Sequence, residues 1–143
     1  MEKIAEIKGT DGRLAIRVVG YERPSPPTNL TDRNWLLCHY ELSVRNFSCG
    51  GGLRVLRSEL DLLNASLSSA LELVSGIIQF KPLEPTLQFQ IEFERTGTAG
   101  VTGIAQELGK RACVLSFRFS TDQTYLGQFL KELKTILTEF PQR

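Results

Sequence analysis

Apolar and polar residues alternate along most of this chain and recur at helical spacing in two stretches. Leu14, Ile16 and Val18 alternate with Arg13, Ala15 and Arg17, which predicts a half-buried strand over residues 13–20 after a short one at 3–8. Gly9-Thr10-Asp11-Gly12 supplies the turn between them. Prolines at 24, 26 and 27 cannot donate to a sheet ladder, so residues 23–29 read as an extended surface loop. From Trp35 to Val44 one parity carries Leu36, Cys38, Tyr40, Leu42 and Val44, the pattern of a long central strand. Trp35 is expected to anchor its start by burial. Phe47 to Val55 reads as its antiparallel neighbour, with Gly50-Gly51-Gly52 expected to bend or bulge.

Leu60, Leu63, Leu67, Leu71 and Val74 lay a stripe down one face of a helix over 58–75, with Gly76 placed to end it. A short strand at 77–81 and a rigid Pro82-Leu83-Glu84-Pro85 corner precede the clearest strand. There Leu87, Phe89, Ile91 and Phe93 oppose Gln88, Gln90, Glu92 and Glu94. Val101–Leu108 alternates more weakly, diluted by glycine, and Cys113, Leu115, Phe117 and Phe119 mark another strand. Ser120 with Gln123 has the spacing of a capping box, opening a helix through Leu126, Phe129, Leu130, Leu133, Leu137 and Phe140 that Pro141 stops. No internal repeat is visible. The element order predicts an α+β fold with largely antiparallel, curved sheets and two main amphipathic helices, the second at the C-terminus, in a single domain spanning 1–143.

Charge removes several function classes. The 17 basic and 16 acidic side chains nearly cancel and form no run, which argues against a nucleic-acid partner. No segment has the length of a membrane span or the apolar core of a secretory leader. Cys38, Cys49 and Cys113 are odd in number and widely spaced, as suits reduced thiols in a cytoplasmic protein. In that compartment the Asn-x-Ser/Thr triplets at Asn29, Asn46 and Asn64 carry no sugar.

Candidate chemistry is sparse. His39 is the single histidine, so a small Cys/His hydrolase would have to use it, and Cys38 beside it on a strand points to the opposite face. No cysteine or histidine pair has metal-ligand spacing, so neither metal nor cofactor is expected. Glu92 and Glu94 share a strand face, the crude requirement for paired acid-base carboxylates, but alternate with core residues as a solvated face does. The glycine run lacks the Gly-Lys-Ser/Thr ending of a phosphate loop. Pro24-Ser25-Pro26-Pro27 formally matches a polyproline ligand, which leaves open a structural or adaptor domain of a larger assembly.

Several segments in order over almost the whole chain resemble the WapI family of immunity proteins, partners of WapA-type polymorphic toxins in bacteria. They are Asp32-Arg33-Asn34-Trp35-Leu36, then Ser58-Glu59-Leu60 with Leu63 and Leu67, then Phe80 and Leu83-Glu84-Pro85-Thr86-Leu87-Gln88-Phe89, and last Phe140-Pro141-Gln142-Arg143. Arg57 stands where that family tends to place a capping Ser or Thr, and the Gly50–Gly52 run is unusual for it. The resemblance implies a non-catalytic protein, a monomer or weak homodimer, that binds a protein toxin domain. Asp32, Asn34, Trp35, Glu84 and Pro85 then form a structural motif. Arg23 and Asn29 in the loop running to Thr31, with Gln88, Gln90, Glu92 and Glu94 on the wet strand face, are the expected partner contacts.

Overall fold

The computed structural model describes residues 3–29, 32–109 and 111–143, so Leu30 and Thr31 of the expected contact loop lie outside the described residues. Within them the order is β1 (Lys3–Lys8), β2 (Gly12–Tyr21), β3 (Trp35–Val44), β4 (Phe47–Leu56), α1 (Arg57–Leu73), β5 (Ile77–Phe80), β6 (Leu87–Phe93), β7 (Thr98–Glu107), β8 (Cys113–Asp122) and α2 (Gln123–Glu139). A single 3-10 turn at Asp32–Asn34 leads into β3. The strands form two antiparallel meanders, β1-β2-β3-β4 and β5-β6-β7-β8, each followed by a helix. The fold is α+β, as the element order predicts. It also repeats a ββββα unit that no sequence repeat announces, because strand and helix periodicity, not residue identity, defines such a unit.

Each helix packs beside the first strand of the other unit, α2 along β1 and α1 against β5, and the two helices meet. Leu60, Leu63 and Leu67 of α1 join Leu126, Phe129 and Leu133 of α2 and the inward residues of both sheets in one buried cluster. Fully burying each such side chain contributes about 1.5–3 kcal/mol. The edge of β1 is covered by α2, whose Glu132 carboxylate accepts the Glu6 N–H at 3.0 Å. Arg57, at the start of α1, donates from Nε to the Phe140 carbonyl at 2.8 Å and from Nη2 to the Leu137 carbonyl at 2.9 Å. It therefore ties the beginning of one helix to the end of the other, where the carbonyls lack helical partners.

Several expectations are corrected. Gly50, Gly51 and Gly52 neither bend nor bulge β4 but pair in unbroken register with Glu41, Tyr40 and His39. The irregularity lies in β2, where pairing jumps from Val18↔Cys38 to Gly20↔Leu37 and leaves Val19 over. The second helix is capped by Asp122, whose Oδ1 accepts the Tyr125 N–H at 2.9 Å, because β8 continues through Ser120. The first helix ends at Val74, in the left-handed region at φ 48°, two residues before Gly76. Trp35 is only half-buried: its side chain has the parity opposite to Leu36, Cys38 and Tyr40, so it sits on the outer face with the Arg54 guanidinium 4.8 Å from its ring.

Candidate functional site

Of the motif residues, Asp32 and Asn34 belong to a polar clamp built around Arg143. Asn34 is buried, accepts the Arg143 N–H at 2.8 Å and donates to the Arg143 carbonyl at 3.3 Å. The Arg143 guanidinium donates to the carbonyls of Arg23 at 2.7 Å, Pro24 at 2.9 Å and Arg33, and lies 3.8 Å above the Tyr21 ring. Arg33 donates to the Pro27 carbonyl at 2.6 Å and, through its backbone, to the Asn29 carbonyl at 3.3 Å. Asp32 opens the 3-10 turn that presents Asn34. Pro24 and Pro27 are thus held through their carbonyls by arginines of the same chain.

A second tie joins the two units. Arg54 on β4 pairs with Glu22 and, at 2.6 Å, with Glu84 of the corner between β5 and β6. Hydrogen bonds to Glu84 and then Glu22 raise the Arg54 pKa beyond its ordinary value. The Pro85 carbonyl accepts from Gln106 at 2.6 Å, and Glu59 of α1 accepts the N–H groups of Leu56 and Leu83, each at 2.7 Å.

The expected contacts fall on separate elements. Gln88 and Gln90 line a shallow depression of 360 Å³ with Lys81, Thr102 and Ile104 on the outer face of the second sheet. Glu92 is exposed on that strand, while Glu94 faces Arg118 at 3.6 Å and accepts from Thr98 at 3.3 Å. Arg23 and Asn29 are exposed on the loop before β3, and no described contact joins them to the glutamines.

His39 does not meet a cysteine. It lies on the outer face of the first sheet in a depression of 110 Å³ with Glu6, Arg13, Arg17 and Glu41, and its enclosed Nδ1 has no hydrogen-bond partner among the described residues. Cys38 is buried on the opposite face, and that burial pushes its thiol pKa up to about 12. Cys49 and Cys113 line a cleft of 80 Å³ with Tyr40 between the sheets, where burial raises the Cys49 and Tyr40 pKa values. Among the described residues no group of three or more His, Cys, Asp or Glu side chains is arranged to hold a metal, and no helix is long and apolar enough to cross a membrane.

The feature best shaped for a partner is one the sequence reading missed. Where the β3–β4 hairpin turns at Arg45 and Asn46, a groove of 440 Å³ opens between it and β8. Its floor is Leu42, Val44, Leu115 and Phe117, and Phe47, 68% exposed, forms one wall. Arg45 and Arg118 stand on the rim, facing Asp11 at 3.5 Å and Glu94 at 3.6 Å. The available signal was Phe47 directly after a turn, a position where an aromatic side chain has little core to enter.

Two comparisons bear on this arrangement. The family model described as the immunity protein WapI-like family matches residues 6–141. No curated protein matches the chain.

Proposed function

The chain belongs to the immunity protein WapI-like family, and from that premise we propose that it neutralises a protein toxin domain in the bacterial cytosol by binding it, without catalysis. The family match over nearly the whole chain carries this reading. The geometry supports it with an apolar groove rimmed by two arginines and with a rigid clamp that holds the 23–29 loop. A binder of this kind needs shape and about 800 Å² of surface per partner, and no reactive group. Gln88, Gln90 and Glu92 on the second sheet are proposed as peripheral contacts, as are Arg23 and Asn29.

The test is co-expression with the C-terminal toxin domain of any large secreted protein found encoded beside this chain. Relief of growth arrest and co-elution on gel filtration are expected, both surviving His39→Ala. Arrest that this chain does not relieve, with no complex formed, refutes the reading. Rescue that requires His39 transfers the protein to an enzymatic class.

A further inference from the structure

Four sheet edges have to be managed in this fold, and β4 is the least protected of them. The edge of β1 lies under α2 and gives its Glu6 N–H to Glu132. β5 is only four residues long and packs against α1. β8 is engaged only near its end, at Ser120, whose carbonyl accepts the Thr10 N–H at 3.1 Å and whose N–H donates to Asp11 at 3.2 Å, and its remaining stretch carries the Arg118 charge. β4 differs. Val44 and Phe47 flank a two-residue turn and so form a hydrogen-bonded pair, which leaves Ser48, Gly50, Gly52, Arg54 and Leu56 aiming their N–H and C=O groups away from β3. The Leu56 N–H is taken by Glu59. Among the described residues no hydrogen bond reaches the outward groups of Ser48, Gly50 or Gly52. The strand also lacks the usual protections of an edge: it runs in unbroken register, and residues 47–53 contain no charge and no proline.

We propose that the β4 edge, from Ser48 to Arg54, is where an extended segment of the toxin domain adds as a fifth strand, with its flanking residues in the groove beside Phe47. This rests on the functional reading above and names the surface and the partner's chemistry. Gly50 and Gly52 leave the outer face of β4 bare, so the added strand gains most when it carries aromatic or long apolar side chains opposite them. Self-pairing centred on the glycine run lacks that gain. Two copies related by a two-fold axis through Gly51 set Gly50 against Gly52, and glycine against glycine offers no cross-strand side-chain contact. A short added strand covers less than the ~800 Å² of a standard interface, so the segment continues past Phe47 into the groove. There the arginines on the rim, each held from its own carboxylate by more than 3.4 Å, select an acidic residue.

The test uses the full chain and the toxin domain described above. Amide exchange at Ser48, Gly50 and Gly52 should slow at least about tenfold in the complex. Gly52→Pro removes an N–H that β3 does not use, and should weaken binding about tenfold or more, the equivalent of one lost main-chain hydrogen bond and a steric clash. Gly52→Lys gives a second variant with no proline in it, and a Cβ at Gly52 meets no atom closer than 3.9 Å, so it should fold as wild type does. A folded complex in which these amides exchange freely and both variants bind as wild type does overturns the inference while leaving the functional reading intact. Wild type that does not bind the toxin domain overturns both. A free protein that is already dimeric, with these amides protected, replaces the toxin strand by a second copy.

Discussion

Replacing Arg57 by alanine isolates the tie between the two helices. Its side chain is 11% exposed and makes two hydrogen bonds to the terminal carbonyls of α2, with an additional ion pair to Asp61. Hydrogen bonds from a charged donor contribute about 1.5–3 kcal/mol each when the partners lose them to a dry site. Water can re-enter at a helix end, which recovers part of that, while the lost interaction with the helix dipole adds about 0.3–1 kcal/mol. The net cost of Arg57→Ala is therefore about 2–4 kcal/mol, or roughly 10 °C in melting temperature for a chain of this length. Urea unfolding followed by Trp35 fluorescence and by circular dichroism measures it. Arg57→Lys keeps the charge but reaches fewer carbonyls and should lose about half as much. Asp61→Ala should lose under ~0.5 kcal/mol, since Asp61 is half exposed. An Arg57→Ala protein within ~0.5 kcal/mol of wild type, or an Asp61→Ala protein that loses as much as Arg57→Ala, refutes the reasoning.

Trp35→Ala should cost only about 1–2 kcal/mol, short of the ~3–5 kcal/mol of a core aromatic, because the ring packs under Arg54 on the outer face; a core-sized loss in urea unfolding contradicts that placement. Val74→Asn should be stabilising by roughly 0.5–1 kcal/mol, since a β-branched residue at φ 48° is strained and asparagine tolerates that region; calorimetry showing a lower melting temperature rejects it. Cys38 keeps its proton in the folded state up to about 12, whereas the unfolded thiol ionises near 9.0. The unfolded state therefore binds fewer protons between those values, and stability falls there by about 1.4 kcal/mol per pH unit on account of this group. Cys38→Ala should flatten the slope of stability against pH above 9, and an unchanged slope excludes Cys38 as its source. Gly50→Ala should destabilise more than Gly52→Ala, because a Cβ at Gly50 meets the Tyr40 carbonyl at 2.8 Å while one at Gly52 meets nothing closer than 3.9 Å; equal unfolding midpoints dispose of the difference.

Local periodicity was enough to read most elements of this chain. The alternation of Leu87, Phe89 and Ile91 with Gln88, Gln90 and Glu92, and the three- and four-residue steps of Leu60, Leu63 and Leu67, register which face each element buries, and burial enforces that pattern at every position. Residues that carried the family resemblance hold two ties, Asn34 with Arg143 in one and Trp35 and Glu84 around Arg54 in the other. Periodicity does not encode which surface lies across from which. That Arg57 reaches the far end of α2 and that α2 docks on β1 follow from packing between segments 80 or more residues apart. The Gly50–Gly52 run shows the limit most plainly. Glycine permits a bulge, but the register of β3 against β4 is set by the two-residue turn and by Cys38, Tyr40, Leu53 and Val55 facing the core, so the strand stays straight and its outer edge stays open.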